Sequence, residues 1–140
     1  MSTKIYPIGI QNFEKIRNDG YFYIDKTALM YQMVKTGSYY FLSRPRRFGK
    51  TLMMSMTEQF FSVEYAKQTE LFKGLAIWED AAFRKLQGTY PVIFLSFSGV
   101  KENSYKEARK KICRLIQLLY RRYAFLLEGD LLSEQEKKEF

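Results

Sequence analysis

The chain has 140 residues, a formal net charge of +8 and 46% hydrophobic residues. That is long and apolar enough for one domain with a real core, and it argues against disorder. With no His and one Cys, the composition also speaks against a zinc centre and excludes an internal disulfide.

Cys113 falls in a helical pattern, where a free thiol reads as a small buried hydrophobe in a reducing compartment. The start, Met1-Ser-Thr-Lys-Ile5, has no apolar signal core, and no run is long enough to span a membrane. The expectation is a cytoplasmic protein with no membrane partner. The basic excess points to anionic partners such as a nucleotide or nucleic acid, although charge alone names none.

Asn12 can cap a short helix over Phe13–Arg17, closed by Asn18-Asp-Gly20. Tyr21–Ile24 reads as extended. Asp25 or Thr27 can cap a second helix, Ala28–Lys35, ended by Gly37 at the position after the last helical residue. Tyr39–Ser43 reads as a buried first strand. The run after the next loop carries Leu52, Met53, Met56, Phe60 and Phe61 at helical spacing, a stripe that suits core packing. Lys67–Gly74 reads as a loop-rich connection. Ile77–Leu86 forms a short helix with Glu79 and Asp80 as helix-start charges. Tyr90–Ser98 reads as a second buried strand whose end, Ser96–Ser98, would lie beside the loop in a parallel sheet. A long helix spans roughly Ser104 to Leu127, with Tyr105, Ala108, Ile112, Leu115, Leu119, Tyr123 and Leu126 as its apolar stripe. Lys106, Arg109, Lys110, Arg114, Arg121 and Arg122 fill its other faces. Ser133 with Glu136 is a capping box that opens a further helix.

The chemistry concentrates between the first strand and the helix after it, in Arg44-Pro45-Arg46-Arg47-Phe48-Gly49-Lys50-Thr51-Leu52. A loop entering a helix exposes unpaired N–H groups at the positive end of the helix dipole, which favours anions. Gly49 lets the backbone curl closely around a phosphate. Lys50 would place an ammonium on β- and γ-phosphate oxygens, and the Thr51 hydroxyl would reach a magnesium ion bridging them. The general phosphate-loop pattern wants a further glycine five places before Gly49, where this chain has Arg44.

The loop Arg44–Thr51 resembles the modified Walker A loop of the bacterial AAA-ATPase-like family, in which that first glycine is normally missing. Tyr6–Ile16, Tyr23-Ile-Asp-Lys-Thr27, Tyr39–Ser43 and Leu71-Phe-Lys-Gly-Leu-Ala-Ile77 resemble the same family's N-terminal half, in its order, so the resemblance covers roughly the whole chain. It implies an α/β fold: a P-loop NTPase parallel sheet with flanking helices, here the N-terminal half only. Residues 1–37 would be a helical lead-in and 38–140 part of the P-loop core. ATP and Mg2+ are the implied cofactors, with Arg44–Leu52 as the binding loop, Lys50 as the catalytic cation and Thr51 as the metal ligand. Ile8, Ile10 and Phe13 become candidates for an adenine wall, although plain core packing explains them better.

Ile77-Trp-Glu-Asp80 is the nearest match to the acidic strand that a P-loop ATPase needs, and its apolar lead is too short. In the resembled family that strand follows the long helix, and a nuclease-like domain often comes later still. The expectation is therefore an ATP-binding module that does not hydrolyse ATP alone and tends to self-associate. The alternative is a basic nucleic-acid-binding domain that contacts backbone phosphates.

Overall fold

The computed structural model describes residues 5–130 and 132–139. The start read as lacking a signal core falls largely on residues 1–4, outside that range. The chain divides into two compact units, Met1–Val92 and Ile93–Phe140.

The first unit holds α1 (Phe13–Asn18), α2 (Thr27–Thr36), α3 (Lys50–Phe61), α4 (Ala76–Glu79) and α5 (Ala81–Arg84), with single 3-10 turns at Val63–Tyr65 and Thr69–Phe72. Asn12 caps α1 as its residue type suggests: its side-chain oxygen accepts from the Lys15 N–H at 2.9 Å. Phe13 and Ile16 put one face of this short helix into the core. The Phe13 N–H donates to the Ser55 hydroxyl at 3.3 Å, which ties α1 to α3. On α3, Met53, Met56 and Phe60 are buried, with Leu52 and Phe61 packed partly against them, so the stripe is core. Phe72 completes the centre: its ring stacks on Phe13 at 5.2 Å between centroids and meets Phe60 edge-on at 4.9 Å. Gly88 closes the unit beneath α3. Its N–H donates to the Phe60 carbonyl at 2.8 Å, its φ is +66°, and a Cβ there would stand 2.3 Å from the Ala66 Cα, so only glycine fits.

The sequence motif Tyr23–Thr27 is a clamp. Asp25 Oδ1 accepts from the Thr27 N–H at 2.8 Å and from its hydroxyl at 2.7 Å. Asp25 Oδ2 accepts from the Ala76 N–H at 2.7 Å, and the Thr27 hydroxyl oxygen accepts from the Ile77 N–H at 3.0 Å. One carboxylate and one hydroxyl thus open α2 and hold the first N–H groups of α4. Burial pushes the Asp25 carboxyl upward, but the hydrogen bonds from Ala76 and Thr27, with the nearby Arg17, outweigh it and hold the group below the usual carboxylate value. Arg17 in turn donates to the carbonyls of Leu71 and Lys73 at 2.7 and 2.8 Å.

The second unit holds α6 (Tyr105–Arg122), α7 (Phe125–Glu128) and α8 (Glu134–Glu139). The Ser104 hydroxyl caps α6 on the Glu107 N–H at 3.3 Å. Ala108, Ile112, Leu115, Leu119 and Leu126 are half-buried and Tyr123 is buried, while Tyr105, at the start of the stripe, is exposed. The helix breaks at Tyr123, earlier than its pattern suggests. The capping box is present: the Glu136 carboxylate accepts from the Ser133 N–H at 2.8 Å and from its hydroxyl at 2.7 Å, and the Glu136 N–H donates back to that hydroxyl at 3.3 Å.

The expected parallel sheet is overturned. Among the described residues there is no strand, and the only β pairing is an isolated parallel bridge between Ser62 and Tyr90. Tyr39–Ser43 is irregular, with Tyr39 97% and Phe41 93% exposed. Val92–Phe97 is equally irregular, with Ile93 71% exposed. A strand exists only through a neighbour that completes its ladder, whereas a helix satisfies its own N–H and C=O groups. Apolar composition marked both segments, but neither is a strand here. Ser96–Ser98 therefore ends no strand, and its parallel-sheet reading falls with the rest.

Two smaller expectations also change. Cys113 is exposed rather than buried, because it lies off the apolar stripe of α6. Gly37 follows the last residue of α2, as read, in extended backbone at φ −171°. Ile77–Leu86 divides into α4 and α5, because Asp80 breaks the helix and caps the second piece on the Ala82 N–H at 2.8 Å. Asp80 is a helix-start charge, as read, at the N-cap of α5, whereas Glu79 is the last residue of α4. Among the described residues, no helix is long and apolar enough to cross a membrane.

Candidate functional site

The basic loop leads into α3, and the backbone does the shaping. Gly49 occupies the N-cap position with φ 77° and ψ 18°, the left-handed region, and Lys50 begins the helix proper. A left-handed residue followed directly by a right-handed helical one turns successive N–H groups to the same side, a concavity suited to an anion. No side chain caps α3, so its first N–H groups remain open. Arg47 is also left-handed, at φ 68°, and is the one non-glycine residue with positive φ among those described. That conformation costs a residue with a Cβ about 1–2 kcal/mol.

Lys50 folds back over this loop. Its ammonium donates to the Arg44 carbonyl and, at 2.8 Å, to the Pro45 carbonyl. The first half of the loop is thereby stapled to the start of α3. An ammonium has three donors, so two are used within the loop and one remains for a ligand. Arg44, the residue that stands where the general motif has glycine, contributes its backbone carbonyl here, a group every residue carries.

Arg46, Arg47, Gly49, Lys50, Thr51 and Leu52 line one side of a cleft of about 670 Å³, and the segment Pro7–Gln11 lines the other. Arg44, Pro45 and Phe48 belong to the same loop and are exposed, Phe48 by 61%. Thr51, the next residue of α3, lines the same cleft. Of the three residues considered for a base-binding wall, Ile8 and Ile10 do line this cleft. Phe13 does not; it is fully buried at the centre of the core.

A second, smaller and largely apolar pocket of about 240 Å³ adjoins the loop, lined by Tyr6, Phe22, Tyr23, Lys26, Gly49 and Leu52 among others. Gly49, Leu52 and Pro7 border both hollows. Lys26 is the residue here that motif reading passed over. Its nearness to Gly49 comes only from the tertiary fold, and no spacing rule reveals it. Tyr23 at the back of this pocket donates its hydroxyl to the Met56 sulfur at 2.9 Å, and burial pushes its pKa up to about 12.

A basic glycine-lysine loop thus opens an uncapped helix and faces a cleft whose lining holds no acidic residue. Comparison with known proteins adds a family. The family model described as "Predicted AAA-ATPase" matches residues 7–139, and the chain belongs to this AAA-ATPase-like family. A curated relative from Azotobacter chroococcum mcd 1, named "Uncharacterized protein in vnfD 5'region", is 39% identical over 119 residues. The aligned part covers 84% of this chain and 22% of that relative, so the chain spans about a fifth of the relative's length. No solved structure matches the chain.

Proposed function

We propose that this chain is a nucleotide-binding module whose loop Arg44–Leu52 receives the phosphates of ATP. The observation that carries the reading is Lys50: its ammonium is fixed on the Arg44 and Pro45 carbonyls beside the left-handed Gly49, with one donor left over. Membership of a family described as predicted AAA-ATPases supports it. The residues fit a polyphosphate: N–H groups of the loop and of the α3 start, the Lys50 ammonium, and the Arg46 and Arg47 guanidiniums at the cleft. Magnesium fits less fully. Thr51 would supply a hydroxyl ligand, but the cleft lining carries no carboxylate, and magnesium is usually held by one or two carboxylates besides the phosphates. The metal would therefore arrive with the nucleotide, and these residues bind ATP without turning it over at an appreciable rate.

Calorimetry with ATP and its non-hydrolysable analogues tests this. Lys50→Ala should weaken binding strongly, and by more than Arg46→Ala, because Lys50 both orders the loop and meets the phosphates. Equal affinity in the wild type and Lys50→Ala would sink the assignment.

A second reading rests on α6. Lys106, Lys110, Arg114 and Arg121 are exposed, and their spacing of four, four and seven puts them on one helix face. Such a face can contact nucleic-acid phosphates. Binding of that kind would be indifferent to sequence, fall steeply between low and physiological salt, and survive Lys50→Ala.

A further inference from the structure

The two ends of the Tyr23–Thr27 motif are occupied in the fold, and its middle is not. Asp25 and Thr27 both direct their side chains to the N–H groups of Ala76 and Ile77. Lys26 lies between them and projects the other way, into the small pocket it shares with Gly49 and Leu52. Its Nζ stands 3.8 Å from the point where a Cβ on Gly49 would be. No hydrogen bond or ion pair joins its ammonium to any described residue. An unpaired cation is thus held against the backbone of the glycine whose conformation opens the loop. The clamp at Asp25 and Thr27 fixes the main chain on both sides of it, and so the direction in which this exposed side chain leaves the backbone.

Lys26 and Lys50 approach Gly49 from different hollows. Lys50 lines the larger cleft with Arg46, Arg47 and Thr51, and Lys26 lines the smaller pocket. A phosphate chain seated on the N–H groups between them would pass within reach of both. The same pocket's apolar walls lower the local dielectric and strengthen such a contact.

We propose that Lys26 is a second cation of the phosphate site, contacting the phosphate chain of the nucleotide that the Arg44–Thr51 loop receives. This rests on the nucleotide-binding reading above and adds a residue that lies outside the loop motif. It also gives the Asp25–Thr27 clamp a function besides stability, because the clamp sets where Lys26 points.

The test compares Lys26→Met, which keeps the aliphatic stem and removes the charge, with Lys26→Gln and Lys26→Arg, all in the 140-residue chain. Binding of ATP and of inorganic tripolyphosphate is measured by calorimetry, and unfolding is followed without ligand. Lys26→Met and Lys26→Gln should each weaken both ligands about tenfold, the size of one charge-assisted hydrogen bond. Lys26→Arg should recover most of the loss, and unliganded stability should stay within error of wild type. Unchanged affinity for both ligands in Lys26→Met and Lys26→Gln, with Lys50→Ala still defective, would overturn the role of Lys26 and leave the nucleotide-binding reading standing. A loss for ATP without one for tripolyphosphate would also overturn it, since the contact would then be to base or sugar. Failure of the wild type to bind either ligand would remove both proposals together.

Discussion

Phe60 and Phe41 stand close in sequence and have opposite fates: Phe60 is fully buried, and Phe41 is 93% exposed. The stretches around them are about equally apolar. Phe60 sits on α3, whose backbone bonds to itself, so the helix needs only another surface for its apolar face. Phe13, Met30 and Phe72 provide that surface within the same unit. Phe41 sits in an irregular segment, and outside a helix an apolar run needs hydrogen-bonded neighbours before its side chains can be covered. The helical part of the first unit therefore completes a core from the described residues, and the irregular part leaves Tyr39 and Phe41 outside it. The basic loop joins the two, one end anchored on α3 and the other leading back to Tyr39–Ser43.

The largest test of this contrast is Phe60→Ala. The ring contacts Phe61 and Phe72 at 4.9 Å between centroids, and its loss should cost about 3–5 kcal/mol. Urea denaturation followed by the fluorescence of Trp78, which packs against the same core, measures it. A cost under about 1 kcal/mol would mean that this centre is not a packed core at all.

Asp25→Ala comes next. It removes acceptors for the Thr27 and Ala76 N–H groups and should cost about 2 kcal/mol, because these hydrogen bonds go to a charged group. The same carboxylate makes stability depend on pH. Its folded pKa lies below the ordinary 3.8, so its contribution is complete above the unfolded value and is lost as the pH falls through the folded one. Wild type should lose part of its stability in acid below that ordinary value, and Asp25→Ala should lose less over the same interval. Parallel acid profiles for the two proteins would show that the clamp is not held by charge.

How much of this was legible in the sequence follows from the range of each interaction. Asn12, Ser104 and Ser133 cap helices within three residues of themselves, and the α3 stripe repeats every three or four positions, so these elements could be read directly. The Gly49-Lys50-Thr51 run placed the loop against a helix start for the same local reason. The two strands could not be settled that way, because a strand is a property of two segments and apolar composition describes one. The Asp25–Ala76 bond and the approach of Lys26 to Gly49 join residues far apart in the chain and left no local signal. The left-handed Arg47 was hidden differently: arginine is an ordinary residue whose type does not announce an unusual backbone.

Arg47→Gly sharpens the comparison at the junction. Glycine takes φ 68° without steric cost, and that relief should outweigh the added freedom of the unfolded chain, for a gain of about 0.5–1 kcal/mol. If the loop binds phosphate, the same change removes a guanidinium from the cleft and should weaken ATP several-fold. Stability would then rise while binding falls, the signature of strain kept at a working site. A variant that is both less stable and equally good at binding would contradict both halves.

The smallest expected effect on stability belongs to Phe41→Ser, and it decides the comparison from the exposed side. Phe41 is 93% exposed and its neighbour Tyr39 97%, so there is almost no burial to lose. The substitution should change urea stability by less than about 0.5 kcal/mol, the usual range for surface positions. Its effect should appear in solution behaviour instead. A segment outside any helix that exposes large apolar side chains can serve as a template for pairing with another chain. Replacing Phe41 with serine removes apolar area from that template while leaving the backbone groups in place. Sedimentation of wild type at rising concentration should show self-association, and Phe41→Ser should shift it to higher concentration. If Phe41→Ser instead costs as much stability as Phe60→Ala, the segment is buried in solution and the contrast between the two phenylalanines is wrong. If both proteins remain monomeric throughout, exposure alone does not drive association here, and the charge on the adjoining Arg44, Arg46 and Arg47 becomes the natural reason, because like charges on that edge would repel a second copy.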